Sequence, residues 1–338
     1  MLRLPTFDFR VAPSLAEAAA VLAAEGPAAR LVAGGTDLWP NMKRRHQRAS
    51  TVVSLMGLPE LRDITANGDL RLGATAILDD VARHPVVRQR YPALARAVES
   101  ISSPPLRNMA TLGGNLCVDT RCTYYNQTEE WRRSIDYCMK EAGSVCWVAP
   151  GSPRCLAHTA SDSAPVLCAL GAEVELFSAD GRRRLPVADL FRDDGIDYLT
   201  KRREEILTVI RLPASAAAPG CHSSFWKLRR RGTIDFAVLS VAAAVWSEPD
   251  GTVGDARVFL GAVGSRPLPV PAAAAALIGR TLTEETIETA AAAARKVATP
   301  FANTDFDTRW RGVMTARYTE TALREIAGLP QLLPAPGH

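Results

Sequence analysis

The 338-residue chain is 47% hydrophobic and carries 40 Lys and Arg against 36 Asp and Glu, a formal charge of +4. This length predicts a globular protein of about two domains, at roughly 150 residues each. The charges are spread without a long single-sign block, which excludes an electrostatic basis for nucleic-acid binding, and no apolar run reaches the roughly 18 residues of a membrane span, so we expect a cytoplasmic protein.

The first third of the chain alternates short helical and strand-like segments. Ser14 and Glu17 form a capping-box pattern, which predicts a helix that ends near Gly26. Residues 30–33, 51–55 and 70–72 are typical of strands, and residues 76–101 are predicted to form one helix that the Ser102–Pro105 segment ends. This mixture indicates an α+β fold rather than repeated βαβ units.

Two Gly-Gly pairs, Gly34-Gly35 and Gly113-Gly114, each follow a strand-like or extended segment. Turns without side chains expose successive backbone amides, which suit a diphosphate. The spacing is not G-x-G-x-x-G, so a nicotinamide-type dinucleotide fold is not indicated. By composition alone, tight turns without a ligand are the favoured interpretation.

A segment without clear periodicity follows, from Cys117 to about His158, and holds four of the seven cysteines. Cytoplasmic thiols stay reduced, so this concentration favours metal or redox chemistry over disulfides. The four are Cys122, Cys138, Cys146 and Cys155, with 15, seven and eight residues between successive members. The spacing has neither paired C-x-x-C knuckles nor a ferredoxin run, so it leaves zinc and iron-sulfur open.

The remaining cysteines, Cys117, Cys168 and Cys221, are each predicted to be structural. Cys168 falls in an apolar segment that should be buried, and Cys221 falls near a domain junction. Cys117 closely follows the second glycine pair, and it is the one plausible rival to the four predicted ligands.

Regular patterning resumes after the cysteine segment, with a helix at 164–170 and a strand at 173–177. The stretch Pro213–Gly220 contains only Pro, Ala, Ser and Gly, which predicts a linker between a domain at 1–217 and a domain at 218–338. The second domain is expected to hold strands at 225–228, 238–246 and 256–260 and helices at 284–297 and 316–326, with Thr283 as an N-cap.

The glycine segments Ala33–Leu38 and Ala110–Leu116 resemble the paired signature of FAD subunits in the xanthine dehydrogenase and carbon monoxide dehydrogenase family. The resemblance continues in order through residues 160–162, 204–207 and 225–227. It implies a two-part FAD-binding domain of the PCMH or vanillyl-alcohol-oxidase type, followed by a smaller α+β domain. It also implies a large molybdenum-cofactor subunit and a small subunit with two 2Fe-2S clusters as partners, in a dimer of heterotrimers.

The resemblance also carries FAD contacts onto individual positions. Asp162 is expected to bond a ribose or ribityl hydroxyl, and Leu207 and Lys227 to lie near the isoalloxazine ring, where a cation would stabilise the charge of the reduced flavin. The full implied set is Ala33, Gly34, Gly35, Thr36, Asp37, Leu38, Thr111, Gly113, Gly114, Asn115, Asp162, Leu207 and Lys227.

The cysteine segment adds roughly 40 residues to the family pattern. It resembles one branch of the family, the FAD subunits of 4-hydroxybenzoyl-CoA reductases, whose inserted loop at about 118–158 carries a 4Fe-4S cluster. The resemblance implies that the four cysteines ligate this cluster. It further implies that ferredoxin donates electrons, which pass through the cluster and FAD towards a molybdenum site that dehydroxylates 4-hydroxybenzoyl-CoA to benzoyl-CoA.

Two alternatives stand beside this interpretation. An oxidising relative would send electrons from molybdenum to FAD and out, and the sequence does not decide the direction. A flavoprotein whose cysteines hold structural zinc would use the insertion only for docking. In the two redox interpretations this chain is expected to contribute electron transfer only, and no catalytic residue is predicted in it.

Overall fold

A computed structural model describes residues 2–334, so the outer ends of the predicted domains, residue 1 and residues 335–338, lie outside the described part. The strands are β1 (Asp8–Val11), β2 (Ala29–Val32), β3 (Thr51–Ser54), β4 (Ile64–Asn67), β5 (Asp69–Gly73), β6 (Glu173–Ser178), β7 (Gly181–Pro186), β8 (Ile206–Leu212), β9 (Cys221–Leu228), β10 (Leu239–Ser247), β11 (Val253–Gly261) and β12 (Leu268–Pro269). The helices are α1 (Leu15–Glu25), α2 (Leu38–Lys43), α3 (Leu78–Arg83), α4 (Pro85–Arg90), α5 (Pro92–Glu99), α6 (Pro104–Arg107), α7 (Leu112–Leu116), α8 (Glu129–Ser134), α9 (Ser163–Ala169), α10 (Pro271–Leu277), α11 (Glu284–Val297) and α12 (Thr308–Ile326). No helix among residues 2–334 is long and apolar enough to cross a membrane.

The strands form three sheets. A parallel sheet in the order β1-β3-β2 and an antiparallel sheet in the order β4-β5-β8-β6-β7 lie in the first two thirds of the chain. The third sheet, β12-β11-β10-β9, is antiparallel and packs its apolar face against α10, α11 and α12. The opposite face of this third sheet is buried too, since Phe225, Ala242 and Ala244 belong to the apolar cluster that contains α5 and α9, so the sheet removes apolar surface from water on both sides.

The predicted helix at 76–101 is wrong, because the structure has three short helices there. Pro85 and Pro92 each occupy the first turn of a new helix, α4 and α5. Proline lacks the amide hydrogen that an ongoing helix needs, but it fits a first turn, where that amide would have no partner. The periodic apolar pattern is real, since residues of α3, α4 and α5 share one core, but it is spread over separate helices.

The structure confirms the predicted bounds of one C-terminal helix and corrects the start of another. Helix α11 spans the predicted residues, and Thr283 caps it by accepting a hydrogen bond from the Thr286 amide. Helix α12 begins at Thr308, well before the predicted residue 316, because the Asp307 side chain accepts from the Trp310 amide. The proposed linker stretch contains a short 3-10 helix at Ala214–Ala217.

The cysteine segment leaves the fold and returns to it at one place. The backbones of Arg121 and His158 exchange two hydrogen bonds of 2.9 Å and 2.8 Å, which close the neck of the insertion. The buried Arg132 side chain donates to Glu141 at 2.6 Å and to the carbonyl of Arg44, after α2, at 2.8 Å. These bonds hold the insertion against the N-terminal part of the chain.

A second attachment joins the insertion to the C-terminal part. The Asn303 amide nitrogen donates to the carbonyl of Leu156 at 2.7 Å, and the backbone amide of Thr123 donates to the carbonyl of Asn303 at 2.9 Å. The insertion is therefore a packed substructure with a narrow neck, bonded to both parts of the chain.

Candidate functional site

A cavity of about 690 Å³ lies between β2, the glycine segments, the turn before α9 and the loops at 192–203 and 234–236. All the predicted FAD contacts except Lys227 line it. They are Ala33, Gly34, Gly35, Thr36, Asp37, Leu38, Thr111, Gly113, Gly114, Asn115, Asp162 and Leu207. We call this space the flavin cavity.

The glycines of the two segments allow close backbone packing around this cavity. A Cβ atom on Gly34 would lie 1.7 Å from the carbonyl oxygen of Met109, and one on Gly113 would lie 2.7 Å from the carbonyl oxygen of Ala74. The second pair is not a turn but part of helix α7, whose cap Thr111 accepts from the Gly114 amide at 3.2 Å. These glycines thus bring two distant segments onto one wall.

Asn115 connects the second glycine segment to the turn before α9. Its side-chain oxygen accepts from the Ser163 hydroxyl at 2.6 Å, from the Ser163 amide at 3.2 Å and from the Ser161 hydroxyl at 3.0 Å. Asp162 lies between these two serines and lines the flavin cavity. The asparagine therefore fixes the position of the aspartate.

Lys227 is placed behind Asp162 and does not line the cavity. Its ammonium donates to Asp162 Oδ2 at 2.6 Å and to the carbonyls of Ser100 and Asp235 at 3.0 Å each, which uses all three hydrogens. Burial raises the pKa of Asp162, against the lowering effect of the neighbouring Lys227. Lys227 thus acts on the cavity through Asp162, while Asp162 Oδ1 is buried without a protein partner.

Sequence reasoning missed two other polar groups of this cavity. Thr75 Oγ1 and Arg30 Nε are both buried without a protein partner, and both residues line the cavity. Buried polar groups nearly always have a hydrogen-bond partner, so these atoms point to a polar ligand. Neither residue stands in a recognisable motif. Cys117, expected to be structural, also lines this cavity rather than the cysteine site.

Asp37, at the end of the first glycine segment, is electrostatically unusual. Burial raises its pKa to about 6, with Arg121 opposing and Asp119 adding to this shift. Its side chain accepts from the Asn41 amide at 2.8 Å, one turn further along α2. The pKa of Asp37 therefore depends on the charges of Arg121, at the neck of the insertion, and of nearby Asp119.

The four predicted metal ligands, Cys122, Cys138, Cys146 and Cys155, line a second, small cavity, which we call the cysteine cavity. All four are buried free thiols. Tyr124, Tyr125, Met139, Lys140, Trp147, Val148 and Ala157 complete its wall. Within residues 2–334, no three His, Cys, Asp or Glu side chains meet at a single metal-ion position.

Burial favours the protonated form of three thiols of this cavity, those of Cys122, Cys138 and Cys155. Burial raises the pKa of Cys122 to about 12 and that of Cys155 to about 11, and it also raises the pKa of Cys138. A metal centre that displaces the protons would stabilise thiolates here. The donor type, four cysteine thiolates, is one that both iron-sulfur clusters and structural zinc use, although the four thiols do not converge on a single ion position.

Comparison with known proteins covers almost the whole chain. Residues 5–215 match the FAD binding domain in molybdopterin dehydrogenase, and residues 223–326 match the CO dehydrogenase flavoprotein C-terminal domain. The aldehyde oxidoreductase FAD-binding subunit PaoB of Escherichia coli is 34% identical over 275 residues, 77% of this chain and 82% of that subunit. The carbon monoxide dehydrogenase medium chain of Hydrogenophaga pseudoflava is 28% identical over 321 residues, 94% of this chain and 96% of that one.

Solved structures are similar over the same extent. A chain of carbon monoxide dehydrogenase from Hydrogenophaga pseudoflava superimposes with a TM-score of 0.78 at 27% identity, covering 96% of this chain and 99% of that one. A chain of quinoline 2-oxidoreductase from Pseudomonas putida 86 gives a TM-score of 0.75 at 25% identity, covering 96% and 98%. These likenesses confirm the predicted two-part α+β fold.

Proposed function

Because this chain belongs to the FAD-binding subunits of the xanthine dehydrogenase and carbon monoxide dehydrogenase family, we propose that it is the electron-transfer subunit of a molybdenum-dependent oxidoreductase and holds FAD in the flavin cavity. The observation that carries the proposal is that residues from four separate segments, predicted as FAD contacts, line one cavity. FAD would supply two-electron and one-electron redox chemistry there.

The residues of the cavity fit such a ligand. Both glycine segments line the cavity, and glycine-rich backbone suits a diphosphate. Asp162 Oδ1 supplies an acceptor for a sugar or ribityl hydroxyl, and Thr75 Oγ1 and Arg30 Nε supply further unpartnered groups. Lys227 would hold Asp162 in its charged form and in a fixed orientation.

Thr75→Val tests this assignment without removing any bond inside the protein. If the hydroxyl bonds FAD, the FAD dissociation constant should rise by about fivefold, since a net hydrogen bond contributes about 1 kcal/mol. The free energy of unfolding of the FAD-free protein should stay equal or rise, because an unpartnered buried hydroxyl is removed. Flavin titration and denaturant unfolding of the FAD-free chain measure the two effects.

Thr208→Val is the matched control. Thr208 is also buried, but its hydroxyl donates to the carbonyl of Glu175 at 3.1 Å, and it does not line the flavin cavity. Its replacement should lower the free energy of unfolding by about 1 kcal/mol and leave FAD affinity unchanged. The same loss of affinity in both variants would argue against a specific contact from Thr75.

For the insertion, we propose that Cys122, Cys138, Cys146 and Cys155 ligate one 4Fe-4S cluster. The support is that four buried thiols line one cavity in a segment whose neck adjoins the flavin cavity. A redox centre has an evident use beside a flavin, whereas zinc would serve only to stabilise the insertion. We keep zinc as the alternative that metal analysis separates.

The proposed partners are a large molybdenum-cofactor subunit and a small subunit with two 2Fe-2S clusters, in a cytoplasmic dimer of heterotrimers. The support is that relatives of this chain are medium chains of carbon monoxide dehydrogenases. Several similar proteins are dehydrogenases by name, which favours the oxidising direction, with electrons leaving through this chain to a ferredoxin-type acceptor.

The second candidate is the reducing direction, in which ferredoxin is the donor and the complex is a 4-hydroxybenzoyl-CoA reductase. The cysteine insertion favours it. The assembled complex decides between the two: reduction of 4-hydroxybenzoyl-CoA by reduced ferredoxin supports the reductase, and aldehyde- or N-heterocycle-dependent reduction of an acceptor supports the oxidising enzyme.

A further inference from the structure

Lys140 lies in the wall between the cysteine cavity and the flavin cavity. Among the described residues that line the cysteine cavity, Lys140 is the charged one. Its side chain is 5% exposed, and its ammonium donates to Asp119 Oδ1 at 2.8 Å, to Thr120 Oγ1 at 2.8 Å and to the carbonyl of Gly195 at 2.5 Å. All three hydrogens are used, so the charge is held at a fixed point.

The partners of this ammonium belong to both cavities. Asp119 and Tyr198 line the flavin cavity, and Tyr125 lines the cysteine cavity. The Lys140 ammonium lies 5.1 Å from the ring centre of Tyr125 and 5.6 Å from that of Tyr198. One buried cation therefore contacts groups of the two sites that the proposed function assigns to two cofactors.

The loop at Gly195 fixes the cation relative to a cysteine. The Gly195 amide donates to the carbonyl of Cys155 at 2.9 Å, and a Cβ atom on Gly195 would lie 2.6 Å from Cys155 Sγ. The Gly195 carbonyl accepts from Lys140 and, at 2.5 Å, from the Thr120 hydroxyl. The Gly195 carbonyl thus holds the ammonium beside a loop that packs closely against Cys155.

Resting on the proposed function, we propose that Lys140 is a positioning residue that sets the reduction potential of the cluster relative to FAD. A cluster held by four thiolates gains negative charge on reduction, and a buried cation stabilises that charge strongly where water is excluded. The Lys140–Asp119 pair places its positive end at the cysteine cavity and its negative end at the flavin cavity. The pair therefore raises the potential of the cluster.

Lys140→Met, which keeps the length of the side chain and removes the charge, tests this in the full chain purified with iron and FAD. The equilibrium constant for reduction of the cluster should fall by about tenfold, equal to about 59 mV for a one-electron couple, in a redox titration followed by EPR of the reduced cluster. Lys140→Arg should restore most of the potential. Arg133→Gln, which removes an exposed cation of the same insertion, should leave it unchanged.

Asp119→Asn provides a second test that keeps the lysine. It removes the partner charge, so the potential of the cluster should rise, opposite in sign to the effect of Lys140→Met. If Lys140→Met loses iron, the sign of the Asp119→Asn shift decides. Variants that keep iron and FAD at the wild-type potential overturn the proposal, whereas a wild-type chain without iron overturns the proposed function instead.

Discussion

Replacing Cys138 by serine is expected to remove the iron-sulfur centre while the chain keeps its FAD. Serine is a poor ligand for a soft, thiolate-bound cluster, and a three-thiolate remnant in a buried cavity would not hold it. Iron and acid-labile sulfide should fall from about four per chain to a small fraction of that, and the broad visible absorbance of the cluster should disappear. FAD content, measured after release, should not change, because Cys138 does not line the flavin cavity.

The matched control is Cys168→Ser, which changes a buried cysteine outside both cavities. Iron and FAD should both stay at wild-type values, although the buried hydroxyl costs some stability. Cys122→Ser, Cys146→Ser and Cys155→Ser should behave as Cys138→Ser does. Unchanged iron in Cys138→Ser, or stoichiometric zinc in the wild-type chain, would show that the cluster assignment is wrong.

The flavin contacts could be predicted from sequence because they stand in short segments with a local pattern. Gly34 and Gly113 must be glycines for a packing reason, because a side chain at either position would meet the carbonyl of Met109 or of Ala74. Composition alone therefore cannot decide whether these glycines bind a ligand, because close packing would require them even without one. Only the meeting of both segments at one cavity separates the two interpretations.

Residues that act through tertiary contacts could not be found this way. Thr75, Arg30 and Lys140 carry no motif, and their roles depend on missing or unusual partners that only the packed chain reveals. Lys227 shows the opposite case: its position in the family pattern is clear, but its side chain is occupied by Asp162 and two carbonyls. A spacing pattern can identify a residue, but it does not show which atoms the side chain of that residue contacts.

The insertion combines a feature that the sequence predicts with tertiary contacts that it does not predict. Its four cysteines are predictable as a group, because so many thiols in one segment of a reduced chain are unusual. The structure places all four at one cavity. Its attachments were not foreseeable, since Arg132 reaches Arg44 and Asn303 reaches Leu156 across long stretches of sequence. The backbone at Arg44, just after α2, is thus part of the surface against which the insertion docks.

Removing the insertion is expected to abolish electron exchange with the natural partner while FAD stays bound. The Arg121–His158 backbone pair offers a natural junction, so residues 122–157 can be replaced by a two-residue Asn-Gly turn that suits a tight antiparallel connection. Asp119→Asn should accompany the deletion, because the loss of Lys140 would leave a buried carboxylate without its cation.

In the assembled complex, the ferredoxin-linked rate should fall to background in whichever direction the enzyme works, because the proposed cluster between FAD and ferredoxin is gone. A small artificial dye that reaches FAD directly should sustain its wild-type rate, since the residues lining the flavin cavity before Val118 and after His158 remain. The uncut chain carrying Asp119→Asn alone is the control, and it should keep both rates within a few fold. Equal ferredoxin-linked rates with and without the insertion would contradict its role in electron exchange, and loss of the dye-linked rate together with FAD would show that the insertion instead holds the flavin cavity in shape.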